Sequence, residues 1–266
     1  MKKIAVLGPS GTYSGVAVKK YISSNNLDLD IEYYDTFYRI MNNFKDYALL
    51  PIENSIAGYV FENLDYIIES DYKIVSQVKM PIKFALIGNK NAKEVYVQSK
   101  AYEECSEFLL ENDFIIKRCN SNSEALRLYE ENPNVAAVVP AHLINNHKVI
   151  EDNIENSKYN ETRFFIIGKE MVIAEENDLA FSVVIISKND KSGILYDILS
   201  DFNKYNLNLT SIVSRPLKTK IGEYKFFIES LIEKDDLKNI DRLMDNLNLK
   251  YEVKLLGIYN KLEENN

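Results

Sequence analysis

Soft metal ligands are scarce in this chain: its 266 residues hold two cysteines, Cys105 and Cys119, and two histidines, His142 and His147. The cysteines form no C-x-x-C pair and sit in apolar surroundings, which reads as two buried thiols in a reducing compartment. The stretch AHLINNH lacks the acidic partner of a zinc-protease helix, so the reading carries no metal site and no cofactor. A Cys–His nucleophilic pair stays open but has no local support, and both histidines are read as surface or structural. Long apolar runs are missing as well. None approaches the roughly 20 residues that span a bilayer, and the run after Lys2-Lys3 is too short for a signal peptide, so no membrane partner is expected and the expected location is cytoplasmic. A basic surplus is also absent: the formal net charge is −8, which argues against a nucleic-acid partner. Repeats and low-complexity linkers are lacking, apart from an acidic tail, EENN.

With 46% hydrophobic residues the chain can fill real cores, and its length suits two domains. The first two-thirds alternates apolar runs (IAVLG, YALLPIE, KIVSQVKMPIKFALIG, EVYVQ, FIIKRC, VAAVVP, TRFFIIG) with helical stretches. In one of these, SKAYEECSEFLLEN, Ala101, Cys105, Phe108 and Leu109 recur at three- and four-residue spacing. Such alternation predicts an α/β fold with largely parallel sheets and ligands at the strand ends. The pattern resets across Lys169–Asp178. Beyond it the chain reads βαββαβ, a ferredoxin-like order, with Leu237, Ile240, Leu243, Met244 and Leu247 on one side of its second helix. Domains are therefore expected at 1–175 and 179–262.

Four polar clusters could carry chemistry. The opening loop GPSGTYS follows a strand and precedes a helix, an arrangement that presents backbone N–H groups to an anion. It is neither a G-x-G-x-x-G fingerprint nor a P-loop, and a serine-capped turn is the commoner explanation of such a loop. PIENSIAGYVFENLD, KRCNSNSEA and YNETRFFIIG place hydroxyls and amides at strand ends. Each alone reads as turn or cap chemistry; together they suggest one cleft.

GPSGTYS, PIENSIAGYVFENLD and NETRFFIIG resemble the signature segments of the prephenate dehydratase family, in family order. SGILYDILSDFNKYNLNLTSIVSRPLKTKIGEYKFFIES resembles the ACT regulatory domain fused to that enzyme. The resemblance implies a two-lobed, periplasmic-binding-protein-like catalytic domain with a substrate cleft, plus an ACT domain. It also implies decarboxylative dehydration of prephenate to phenylpyruvate. Prephenate is a dianion, and hydroxyls, amides and one arginine would serve its two carboxylates without metal or cofactor.

By the same resemblance Thr162 is the catalytic residue, read as a hydrogen-bond donor to the departing hydroxyl, with protonation through water or Glu53. Thr12, Ser14, Asn54, Ser55, Ser121, Arg163 and Phe164 are the substrate-binding candidates. Arg163 is equally a carboxylate clamp or a structural ion pair, and Phe164 is read first as packing the strand and second as closing the pocket against the ring. Gly193, Leu195, Ser214, Arg215 and Pro216 match the effector motifs for phenylalanine, and a homodimer or homotetramer is expected. The chain departs from the family at Val97–Lys100 (VQSK), at Ser121-Asn122, and at Val213 where a glutamate is usual. Arogenate as substrate, and a non-catalytic carboxylate sensor, remain the alternatives.

Overall fold

The computed structural model describes residues 1–187, 192–219 and 223–262; the tail EENN lies outside them. The first lobe runs β1 (Lys2–Leu7), α1 (Tyr13–Ser24), β2 (Leu29–Tyr34), α2 (Phe37–Asn43), β3 (Tyr47–Asn54), β4 (Gly58–Tyr59), α3 (Phe61–Glu69) and β5 (Lys73–Pro81). The chain then crosses to a second lobe: β6 (Phe84–Gly88), β7 (Glu94–Gln98), α4 (Ser99–Glu104), α5 (Ser106–Glu111), β8 (Ile115–Cys119), α6 (Asn122–Glu131), β9 (Ala136–Pro140) and β10 (Val149–Asp152). It returns as β11 (Glu161–Gly168), which inserts into the first sheet, in the order β2-β1-β3-β11-β5. The second sheet has the order β10-β6-β9-β7-β8.

Both sheets are mixed rather than largely parallel. In the first, β1 is parallel to β2 and β3, while β11 is antiparallel to β3 and β5. In the second, β7 is parallel to β8 and β9, while β6 is antiparallel to β9 and β10. The antiparallel partners are the strands that carry the chain between lobes, so the crossings themselves produce the mixture. The run KIVSQVKMPIKFALIG is accordingly two strands, β5 and β6, belonging to different sheets.

The C-terminal unit is β12 (Asp178–Ile186), α7 (Ile194–Lys204), β13 (Asn208–Pro216), β14 (Tyr224–Glu233), α8 (Leu237–Asn248) and β15 (Glu252–Asn260), an antiparallel sheet in the order β13-β14-β12-β15. This is the ferredoxin-like arrangement expected from βαββαβ. One face of its sheet packs on α7 and α8 through Phe181, Ile198, Phe202, Ile228 and Leu243. The other face packs on the first lobe. Ala180, Val184, Phe227, Leu256 and Tyr259 share a single core with Phe165 and Ile167 of β11 and with Leu64 and Ile67 of α3. At Gly257 the approach is so close that a Cβ would lie 2.1 Å from the carbonyl oxygen of Ile74, so no other residue fits there.

Among the described residues no helix is long and apolar enough to cross a membrane, and no group of three or more His, Cys, Asp or Glu side chains is placed to hold a metal ion.

The shared core makes the C-terminal unit topologically distinct but energetically continuous with the first lobe. Removing it would bare the Phe165–Ile167 face at about 25 cal/mol per Å² of apolar surface exposed. Residues 1–177 produced alone should lose the cooperative thermal transition and bind a hydrophobic dye. A soluble fragment with native near-UV dichroism would contradict this.

Candidate active site

The carboxyl ends of the parallel strands β1, β3, β7, β8 and β9 turn toward the gap between the lobes, the position where open α/β sheets bind ligands. Two crossings bridge that gap, at residues 82–83 and 153–160, and they are bonded to each other. Ile82 N–H donates to the Asn160 carbonyl (2.8 Å) and Lys83 Nζ pairs with the buried Glu155 (2.7 Å).

The opening loop closes onto the second lobe. The Gly11 carbonyl accepts from His142 Nε2 (2.8 Å), and the Tyr13 hydroxyl donates to the Lys83 carbonyl (2.5 Å) while accepting from its N–H (2.9 Å). Burial holds His142 below its ordinary value, against the opposing pull of the Gly11 carbonyl, so the ring is neutral at pH 7. Thr12 is the N-cap of α1. Its Oγ1 accepts from Gly15 N–H (3.2 Å) and donates to the Leu7 carbonyl (3.1 Å). In this structure the hydroxyl proton goes to the Leu7 carbonyl and the oxygen caps the helix. Ser14 is buried in the first turn of α1. Ser121 likewise caps α6, accepting from Glu124 N–H (3.0 Å).

Asn54 and Ser55 latch the second crossing. Asn54 Nδ2 donates to Asn160 Oδ1 (2.7 Å), the Glu161 carbonyl (3.2 Å) and Thr162 Oγ1 (3.2 Å), while its Oδ1 accepts from Ile56 and Ala57 N–H (3.0 and 2.9 Å). Ser55 Oγ donates to the Tyr159 carbonyl (2.7 Å) and accepts from Glu161 N–H (2.9 Å). Asn160, 1% exposed, carries the chain onward to Glu104 of α4 through its own Nδ2. The sequence motif therefore builds a hinge clamp that ends on Thr162. That hydroxyl accepts from Asn54, and among the described residues nothing accepts its proton. Thr162 is thus a candidate hydroxyl placed at the hinge and able to donate.

Strand pleat separates the neighbours of Thr162. Phe164 is 1% exposed and packs with Ile4, Val6, Val18 and Leu49 beneath α1; it fills the core of the first lobe and does not contact the cleft. Arg163 points the opposite way, to the C-terminal unit. Its Nη1 and Nη2 donate to Glu229 Oε1 and Oε2 (2.9 and 2.7 Å), and Nη2 also reaches Glu53 Oε2 (2.9 Å) and the Tyr59 hydroxyl (3.2 Å). Burial opposes the charge most strongly, but the Glu229 charge and hydrogen bonds together with Tyr259 and Tyr59 outweigh it and raise Arg163 above its ordinary value. Of its two readings, the structural ion pair is the one formed. The Glu53 carboxylate lies on this same face, paired with Arg163.

The effector candidates divide too. Gly193 begins α7 at φ +88 with no side-chain cap and open space where a Cβ would be, and Leu195 and Ser214 are exposed. Arg215 is occupied: Nε and Nη2 donate to Asp65 Oδ1 and Oδ2 of α3 (3.0 and 2.8 Å), and the guanidinium lies 4.3 Å over the Phe61 ring. Pro216 closes β13. The cysteines are poor nucleophiles, since burial raises the Cys105 thiol and pushes Cys119 up to about 11. Asn160, Tyr13 and Glu229 were not singled out by sequence reasoning, and His142 was read only as surface or structural. Only Glu229 carries a local signal, as a carboxylate inside the apolar run FFIESLI.

A family model described as prephenate dehydratase matches residues 4–172. The prephenate dehydratase of Methanocaldococcus jannaschii is 34% identical over 244 residues, which cover 87% of this chain and 89% of that one. The crystal structure of the prephenate dehydratase of Staphylococcus aureus subsp. aureus Mu50 superposes with a TM-score of 0.82 at 27% identity, covering 98% of this chain and 100% of that one. The Arthrobacter aurescens prephenate dehydratase solved in complex with L-Phe has the same fold, with a TM-score of 0.79 at 22% identity, over 97% and 90% of the two chains.

The His142 contact has a pH signature. Its folded-state value lies below the ordinary 6.5, so the unfolded chain binds more protons between the two values. Stability therefore rises with pH through that window and is lost as pH falls from 6.5. Replacing His142 with Gln should flatten this part of the curve of urea midpoint against pH between about pH 5 and 7. An unchanged slope would assign it to another group.

Proposed function

The chain belongs to the prephenate dehydratase family, and from that membership we infer that it converts prephenate to phenylpyruvate, releasing CO2 and water. The observation that carries the reading is the Thr162 hydroxyl, held by Asn54 at the interlobe hinge with its proton free. The ring carboxylate leaves as CO2. Its bonding pair enters the ring, and the C–OH bond on the opposite ring carbon breaks. The product is aromatic, so the enzyme need only favour the departure of hydroxide. A donor aimed at that oxygen stabilises charge as it develops. Thr162 supplies the hydrogen bond, and water relays the proton that completes the leaving water molecule. Ser14 and the N-terminal turns of α1 and α6 supply the anion-favouring ends for the substrate carboxylates.

The two lobes joined by two crossings support a periplasmic-binding-protein-like substrate domain that binds between its halves. The ferredoxin-like unit is read as an ACT regulatory domain spanning 179–262, with phenylalanine as effector. The uncapped start of α7 at Gly193 and the exposed Ser214 support that reading. Arg215 joins an effector site only by leaving Asp65. Exposed Leu195, Tyr196 and Leu199 on α7 support assembly of two or four copies through this unit.

Two measurements test these roles. With prephenate as substrate, Thr162→Ala should lower kcat on the order of 100-fold or more while the melting temperature stays near that of the unaltered chain. A near-normal rate would take Thr162 out of the mechanism. Calorimetric titration with phenylalanine should give heat and parallel inhibition. Ser214→Ala should weaken binding by about 1.5–3 kcal/mol if its hydroxyl meets a charged group of the ligand. Neither heat nor inhibition at millimolar phenylalanine would make the unit structural.

A further inference from the structure

Glu229 belongs to the C-terminal unit, far along the chain from the hinge, yet it is the best-satisfied carboxylate near the catalytic strand. It is 2% exposed and accepts four hydrogen bonds: two from Arg163, one from the Tyr259 hydroxyl (2.9 Å) and one from the Tyr59 hydroxyl (3.0 Å). The tyrosines are fixed in turn, Tyr259 by Ser182 (2.5 Å) and Tyr59 by Ser211 (2.6 Å). Burial, and then the Glu229 charge, raise both phenols far above their ordinary value, so they serve here as donors.

The place where this cluster grips β11 matters. The β11–β3 register shifts between Arg163 and Phe164: Arg163 lies opposite Glu53, but Phe164 lies opposite Pro51. The extra residue is Ile52 of β3, while on the other edge the β11–β5 ladder runs unbroken through Thr162, opposite Met80; the irregularity is confined to the β3 side, where a bulge re-aims the side chains beside it. On that side, side chains on both faces of β11 hold the strand end in addition to the ladder. Asn54 does so on the cleft face, and the Glu229–Arg163–Glu53 bridge does so on the other.

We propose that Glu229 is a positioning residue for the reaction: by holding Arg163 in a two-point grip, it fixes the strand end that aims the Thr162 hydroxyl. The inference rests on the dehydratase reading. It assigns to the C-terminal unit a part in turnover itself, apart from any effector.

The test uses the full chain with prephenate, measuring kcat, KM and the melting temperature. Glu229→Gln sets a donor against the guanidinium and breaks the grip. It should lower kcat about tenfold or more with KM within about twofold, since binding groups in the cleft are untouched. The second variant, Arg163→Met with Glu229→Leu, replaces the pair by apolar groups, a change that commonly preserves or raises stability. It should melt as the unaltered chain does and still turn over slowly. A Glu229→Gln chain with unchanged kcat, or a double variant in which rate and stability recover together, would overturn the proposal. So would a double variant that does not fold, because the pair would then be a requirement of folding and not of turnover. If the unaltered chain leaves prephenate unchanged, the dehydratase reading itself has failed, which is a separate result.

Discussion

A β-strand sends alternate side chains to opposite faces, and no residue can serve both. In β11 that constraint organises the molecule. Thr162, Phe164 and Ile166 face the α1 side, while Arg163, Phe165 and Ile167 face the C-terminal unit. The strand is buried on both faces and paired on both edges, by β3 and β5. Thr162, the residue proposed to meet substrate, is thus followed at once by an arginine that faces the other way. Its charge must be answered in the opposite direction, and burying it alone would cost several kcal/mol. The answer is Glu229, and through it the C-terminal sheet is joined to β11.

The two crossings between lobes pose a related problem. Chain segments that leave one sheet for another carry backbone groups with no ladder to pair them. Here those groups are paired across the hinge and by side chains: Phe84 N–H by Glu155 (3.0 Å), Ile82 N–H by the Asn160 carbonyl (2.8 Å), and Glu161 N–H by Ser55 (2.9 Å). Polar residues at strand ends that look like substrate ligands one by one are, in large part, the answer to this backbone demand. Asn54 shows why the two roles need not compete. Its carbonyl oxygen closes the turn after β3, and its amide both ties down the crossing and orients Thr162.

Much of this was legible before any coordinates. The βαββαβ order and the apolar faces of its helices come from periodicity alone, and the Thr-Arg-Phe and Glu-Asn-Ser stretches were readable by resemblance. What escaped has physical reasons. Edge strands β2 and β10 are short and polar on exposed sides, so period-two alternation is weak. The expected single helix over SKAYEECSEFLLEN breaks at Cys105 (φ −122, ψ 17), a backbone change that its apolar spacing does not encode. Whether Arg163 clamps a ligand or a neighbouring domain depends on which face of β11 the C-terminal unit covers, and strand parity is invisible until that packing is known. Thr12 was ambiguous for another reason: a capping hydroxyl and a ligand-binding hydroxyl have the same sequence signature at a helix start.

Helix α3 shows that the two units meet at more than one point. It comes directly after the Glu53-Asn54-Ser55 turn and β4, and cations of the C-terminal unit hold it along its length. Arg215 pairs with Asp65, Lys218 and Lys225 with Glu69 (2.9 and 3.0 Å), and Lys254 donates to the Ile68 carbonyl (3.0 Å) at the helix end. A cation there also suits the negative end of the helix dipole. On the regulatory reading proposed above, a ligand that drew Arg215 away would free Asp65 and remove one of the ties between α3 and the C-terminal unit. Linkage then fixes the reverse effect: whatever binding free energy the effector exchanges with substrate, substrate exchanges equally with effector. The coupling can be no larger than the difference in effector affinity between the held and released positions of Arg215. Val213, standing where the family usually has a glutamate, sits on the strand whose edge carries that arginine, and it packs into the core shared with the first lobe. An apolar residue there packs in the shared core without competing for Arg215, which leaves Asp65 as the carboxylate that holds the guanidinium.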